Sequence, residues 1–350
     1  MFASLGFETL TAPQVAVWFG ALVGLAFGAL AQVTRFCLRR AVVGDDAPAA
    51  RGIWAMALAV AVLGTQGAVA ADLISFADHR FFAPDLPVLA IVAGGLMFGT
   101  GMVLTRGCAS RLTVLAGSGN LRAVLVLVVF AVTAHASLKG VLAPVRTGLG
   151  AVTMPLPTLP GSALVWAGLI AAIAVWIAVR SGNRALPLAL AALLGALVPV
   201  GWVGTGFVLR DEFDPVALES LSFTLPAAES LFWIVASSSI PATFGVGLLG
   251  GTLAGAGLLA LIRGEFRWQS FETPGQTGRY ILGAMLMGLG GTLAGGCTVG
   301  AGLAGIPTLS FAAMLAFAAI IAGALVAQRI NAGSRVSAAP PTTRQSQPAA

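Results

Sequence analysis

The chain has 350 residues, of which 58% are apolar, 45 are glycine and only 9% are charged, against roughly a quarter charged in soluble globular domains. So few charges cannot cover a soluble surface, and so hydrophobic a chain is not disordered either. The net charge of +6 comes from 18 arginines and Lys139, scattered in ones and twos between apolar runs, which excludes the basic stripe that nucleic-acid binding needs. What remains is an all-α polytopic membrane protein.

In chain order, the first fourteen residues hold no Lys or Arg, so the charged region of a cleavable leader is not expected. The run 13–34 reads as the first spanning helix. Further apolar runs at 52–71, 87–105, 121–138, 162–179, 186–206, 241–262, 280–297 and 308–328 give about nine spans within one transmembrane domain, 1–330. Several runs are glycine-rich and predict short broken or re-entrant helices. From about Asn331 to Ala350 the chain is rich in Ala, Pro, Ser, Thr and Gln, and a disordered cytoplasmic tail is expected there.

Orientation follows from the arginines. The connections 38–51, 106–122, 180–185 and 263–279, together with the stretch from Arg329 onward, hold fourteen basic residues, whereas the alternate connections hold Arg80, Lys139, Arg146 and Arg210. The positive-inside rule places the N-terminus outside and the C-terminus in the cytoplasm, for a chain in a bacterial inner membrane.

Residues 94–108, GGLMFGTGMVLTRGC, align with 283–297, GAMLMGLGGTLAGGC, at an offset of 189, and the alignment pairs Cys108 with Cys297. These are the third and eighth spans, so they cross in opposite directions, the signature of an inverted-topology repeat with a site near the bilayer midplane. The half-repeats are expected over about 13–138 and 186–328. Cys37 has no such mate. The series Gly20, Gly24, Gly28 and Gly247, Gly251, Gly255 are small-xxx-small faces, read as helix packing. Two formal GxGxxG matches, beginning at Gly245 and Gly300, lack the strand–turn–helix context of a nucleotide site.

The segments GLAFGALAQVTRFCLRRA around Cys37, GGLMFGTGMVLTRGCASRL around Cys108, and LLALIRGEFRWQSF followed by GLGGTLAGGCTVGAGLAG around Cys297 resemble the YeeE/YedE family of sulfur-compound permeases, whose characterised members import thiosulfate. The resemblance covers most of 15–330. It implies short broken helices meeting at the centre of the fold, with Cys37, Cys108 and Cys297 along the path of a small sulfur-containing anion. It also implies a separate small cytoplasmic sulfur-carrier protein as partner. Arg106 departs from the family pattern, which places a glycine there as at Gly295.

The chemistry of a thiol suits this role. Thiosulfate is a dianion with a soft, polarisable terminal sulfur, and a thiol offers it a weak S–H donor without tight binding. Conduction needs several weak sites in series. Gly107, Gly295, Gly296 and Gly300 adjoin the cysteines and are expected to shape the path, with half-helix N-termini adding positive potential. Arg106 and Arg35, two residues before Cys108 and Cys37, are candidates to guide the anion or to mark topology. The plainer reading of a lone apolar-helix cysteine is a small buried hydrophobe, and the matched contexts of Cys108 and Cys297 argue against it.

Two further classes stay open: a membrane-embedded enzyme forming persulfides on these cysteines, and a thiol redox sensor. No base lies within a few residues of any cysteine, no CxxC pair is present, and neither a metal site nor a bound cofactor is expected. There is no Walker A motif, so ATP hydrolysis by this chain is excluded. Acidic residues are nearly absent from the spans, and no proton relay stands out.

Overall fold

A computed structural model describes residues 10–155, 160–211 and 213–337, the last six by backbone alone. It is a bundle of helices: α1 (Ala12–Thr34), α2 (Leu38–Val43), α3 (Ala47–Ala70), α4 (Val88–Leu104), α5 (Ala109–Gly117), α6 (Leu121–Lys139), α7 (Ala143–Gly150), α8 (Ala163–Val179), α9 (Ala185–Val203), α10 (Thr224–Ala236), α11 (Phe244–Ile262), α12 (Pro274–Leu293) and α13 (Phe311–Ser337). A π-helical turn, Gly204–Val208, extends α9, and a second π-helix, Thr298–Gly305, follows α12. The short strands β1 (Asp85–Leu86) and β2 (Met154–Pro155) pair antiparallel.

Local chemistry sets many helix starts. Pro13, Pro48, Pro144 and Pro274 occupy first turns, where a missing N–H costs nothing. Asn120, Thr243 and Thr273 accept the N–H of the residue three positions on, at 3.2, 3.4 and 3.3 Å, satisfying one orphan donor each.

Among the described residues, eight helical segments are long and apolar enough to span a membrane, where the apolar runs predict nine. The expected span 162–179 is α8, only 17 residues long. A helix not anticipated in the sequence, α10, stands in what reads as a connection. Its 13 residues fall short of a full span, and Pro226 and Glu229 interrupt its apolar pattern. At the C-terminus α13 runs on to Ser337, past the boundary near 331 that composition suggests for the tail; 338–350 lie outside the described residues.

The glycine faces decide which helices meet. Gly20, Gly24 and Gly28 of α1 lie on the backbone at Phe244, Leu248 and Thr252, while Gly247, Gly251 and Gly255 of α11 lie on that at Val17, Ala21 and Leu25. The numbers rise together, so α1 and α11 run parallel, too close for any Cβ at these positions. On α4 and α12 the numbers run oppositely. A Cβ on Gly94 would meet the Gly290 oxygen at 2.7 Å, and one on Gly283 would meet the Gly101 oxygen at 2.9 Å. These two contacts are exchanged by the offset of 189, so α4 and α12 cross antiparallel about an approximate two-fold axis. Gly99 and Gly288, also 189 apart, pack alike: Gly288 lies on α6 at Phe130, and Gly99 lies on α13 at Ile320, one residue off the same offset.

The connections gather on two faces. On one, Arg122 pairs with Glu272 at 3.1 Å, Gln32 Nε2 donates to Glu265 at 3.2 Å, and Asn183 Nδ2 donates to the Ala49 oxygen at 2.8 Å. We call it the basic face. The opposite, acidic face carries the connections after α3 and α9, with Asp72, Asp78, Asp211 and Glu219 around one cavity. Between them, Leu22, Leu193, Leu258 and Leu282 point outward from the bundle, the arrangement a lipid surroundings favours.

Candidate functional site

Three helices break in the same way. The backbone turns left-handed at Arg35 (φ 52°), Arg106 (φ 60°) and Gly295 (φ 73°). Each stands two residues before a cysteine, and each cysteine is the N-cap of the next short helix: Cys37 of α2, Cys108 of α5 and Cys297 of the π-helix. Glycine adopts this conformation freely, whereas a side-chain-bearing residue loses about 1–2 kcal/mol. The surroundings hold the arginine breaks in place. The Thr105 hydroxyl lies 2.9 Å from both the Gly101 and Gly107 carbonyl oxygens, and the Thr34 hydroxyl donates to Leu30 at 2.8 Å. Cys297 Sγ accepts the Gly300 N–H at 3.4 Å, and the amides of Arg40 and Arg111 face Cys37 and Cys108 from the same relative position.

All three cysteines are free and buried. The thiols of Cys37 and Cys108 face each other. Cys108 Sγ lies 3.3 Å from Ser110 Oγ. The Thr298 hydroxyl stands beside Cys108 and is fully buried. Cys297 is within electrostatic reach of Cys108 and is faced by the Phe223 amide. Phe223 is the N-cap of α10. As α2 packs on α3 and α13, so α10 packs on α11 and α6, and Phe223 caps α10 as Cys37 caps α2.

Aromatic rings close around these breaks. Phe36 stacks on Trp54 at 5.3 Å, Trp54 on Phe317 at 5.2 Å, and Phe27 lies 5.1 Å from Phe223. Above and below are cavities. The one on the acidic face, about 930 Å³, is lined by His79, Arg80, Trp202, Glu219 and Ser222 and reaches Gly300. The one on the basic face, about 320 Å³, is lined by Gln32, Arg35, Arg111, Asn120, Glu265 and Arg267.

Outside the spans, burial pushes Glu219 up to about 7, helped by Glu229 and opposed by Arg80. Burial also pushes His79 down to about 4, with the Arg80 charge adding to it.

The residues singled out in the sequence fall as follows. Gly107 and Gly296 lie inside the breaks, where a Cβ would approach Leu112 at 3.3 Å and the Ala301 nitrogen at 3.0 Å. A Cβ on Gly300 would come within 2.8 Å of Ser222 Oγ. Gly295 borders a side cavity of about 210 Å³ shared with Arg80 and Arg146. Arg35 lines the basic-face cavity, whereas Arg106 is exposed and lines none of these cavities. Sequence reasoning passed over Arg111, Thr298, Ser222 and Arg80. One signal was available for Arg111: Thr-Arg-x-Cys occurs at 34–37 and again at 105–108, each time with an arginine three residues after the cysteine. Among the described residues, no group of three or more His, Cys, Asp or Glu is placed to hold a metal ion.

Buried polar breaks between two cavities, inside an apolar helical bundle, define a membrane transport protein. The sulphur transport family model matches residues 33–326, and the chain belongs to that family. It is 26% identical over 323 residues to the thiosulfate transporter TsuA of Spirochaeta thermophila, covering 86% of this chain and 94% of that one. It is 26% identical over 322 residues to the thiosulfate transporter TsuA of Escherichia coli, covering 81% and 86%. The chain is accordingly a permease and not an enzyme.

Proposed function

We propose that the chain carries thiosulfate, or a closely similar small sulfur anion, from the acidic-face cavity past Cys297, Cys108 and Cys37 to the basic-face cavity. The observation that carries this reading is the gathering of three N-cap thiols between two cavities. Amides at the N-termini of α5 and the second π-helix face the path and favour an anion, while Gly107, Gly296 and Gly300 keep the backbone open to it. Each thiol replaces part of the hydration shell and, being soft and weakly hydrogen-bonding, releases the anion again. Gly295 supplies the left-handed break before Cys297. Arg106, facing outward, acts in topology and not in the path.

In this reading the basic face is cytoplasmic and the acidic face looks outward from a bacterial inner membrane, with the N-terminus outside and the C-terminus inside. The arginine distribution supports it. The halves 13–138 and 186–328 serve as inverted repeats sharing one path. The basic-face cavity, with Arg35, Arg111 and Arg267, delivers the anion to a separate cytoplasmic sulfur-carrier protein.

Uptake of radiolabelled thiosulfate into proteoliposomes holding the purified chain tests the reading. Saturable uptake, inhibited by a thiol-alkylating reagent, is the expected result; uptake no faster than in empty liposomes overturns it.

A further inference from the structure

The acidic-face cavity has a chemistry of its own. Arg80 is exposed to the cavity, with its guanidinium over the Phe81 ring at 5.3 Å and no contact ion pair among the described residues. It lies within electrostatic reach of Glu219, Glu229 and Cys297. Two further donors line the same cavity with no partner among the described residues: the indole N–H of Trp202, only 3% exposed, and the hydroxyl of Ser222. Unpaired buried donors are costly unless something accepts from them. Ser222 stands against Gly300, so its hydroxyl lies next to the helix capped by Cys297.

We propose that Arg80, Trp202 and Ser222 form an oxyanion-binding subsite at the acidic-face mouth, and that Glu219 competes with the substrate for the Arg80 guanidinium, so that admission of the anion is linked to protonation of Glu219. The proposal takes the identity of the anion from the thiosulfate reading, whereas the subsite itself needs only an oxyanion of sulfur. In thiosulfate the three oxygens suit the guanidinium, indole and hydroxyl donors, which leaves the terminal sulfur to meet Cys297.

The charged and titratable groups around the cavity are Asp72, Asp78, His79 and Arg80 after α3, Arg210, Asp211 and Glu219 after α9, Glu229 on α10, and Cys297 behind. Glu229 accepts from Thr243 at 2.8 Å, whereas no hydrogen bond to the Glu219 carboxylate is found among the described residues. Glu219 titrates at about 7. Below that pH it is neutral and leaves Arg80 to the anion; above it, the carboxylate ionises and competes. His79, titrating at about 4, is neutral throughout this window and cannot produce the effect. The proton comes from the acidic-face solvent and returns there, so the linkage is to apparent affinity.

The test uses the full chain in proteoliposomes, with thiosulfate uptake at about pH 6 and about pH 8. For the wild type, KM should rise about fivefold between these values while the maximal rate changes little. Glu219→Gln should hold the low KM at both. Arg80→Ala should raise KM at least about tenfold and flatten the pH response, with Arg80→Lys in between. A second arm follows tryptophan fluorescence of the detergent-purified chain on adding sulfate or thiosulfate, with Trp202→Phe as control, and so reads the subsite without transport.

A wild-type pH response in Glu219→Gln, or a wild-type KM in Arg80→Ala, with thiosulfate uptake intact, overturns the subsite and leaves the thiosulfate reading standing. Absence of uptake together with Arg80-dependent oxyanion binding that weakens above pH 7 has the opposite meaning: the subsite stands and the thiosulfate reading falls.

Discussion

Arg106 and Gly295 are related by the 189-residue offset and turn their backbones into the same left-handed conformation, φ 60° and 73°. One bears a long side chain and the other none, so the same break is strained before Cys108 and relaxed before Cys297.

That relation predicts opposite stability changes. Arg106→Gly should stabilise the chain by about 0.5–1 kcal/mol and leave uptake unchanged, because Arg106 is exposed and outside the cavities. Gly295→Ala should destabilise by about 1–2 kcal/mol. Thermal unfolding of the purified variants in one detergent measures both. A less stable Arg106→Gly variant would show that the guanidinium contributes more than the backbone loses.

Replacing Cys108 or Cys297 by Ala should lower uptake by at least about tenfold with membrane yield nearly unchanged, since Ala fills most of a thiol's place. Ser separates the causes. If soft sulfur contact matters, Ser is nearly as impaired as Ala; if a donor suffices, Ser retains most of the rate. Cys37→Ala should be equally or less impaired. Wild-type rates in the Cys108 and Cys297 Ala variants, at matched expression, would leave these cysteines as packing residues.

Arg111 borders the basic-face cavity, bears electrostatically on Cys37 and Cys108, and has a buried Nη1 with no partner among the described residues. Arg111→Met, which keeps the bulk and removes the charge, should lower uptake about tenfold or more, and Arg111→Lys should recover part of it. The comparison with Arg106→Gly on one expression level decides which arginine of the 106–122 connection serves the anion. Equal rates in Arg111→Met and wild type would remove Arg111 from the path.

On a cysteine-free background, Asp214→Cys should react with an impermeant maleimide added to intact cells, and Trp268→Cys only after permeabilisation. Both positions are exposed, so lack of reaction reports sidedness and not burial. Reversed accessibility overturns the orientation.

The sequence by itself determined what depends on composition and local geometry. A 9% charge content forces the membrane class. The four-residue spacing of Gly20, Gly24 and Gly28, and of Gly247, Gly251 and Gly255, reads as close packing because only glycine lets two helix backbones touch, and these are the faces on which α1 and α11 meet. The paired glycines of 94–108 and 283–297 likewise mark the crossing of α4 on α12. Tertiary structure decided what depends on contacts between distant segments. Nothing near Cys37 in the chain tells that its thiol faces Cys108, 71 positions away, or that the Phe223 amide faces Cys297. Helix α10 escaped notice because a short helix held by its neighbours needs no full apolar span. Arg106 and Arg111 look alike as neighbouring positive charges. They part because a left-handed break turns the first outward, whereas the third position of α5 turns the second into the basic-face cavity beside the cysteines. Side-chain direction follows the backbone of the packed fold, and no single-sequence pattern contains it.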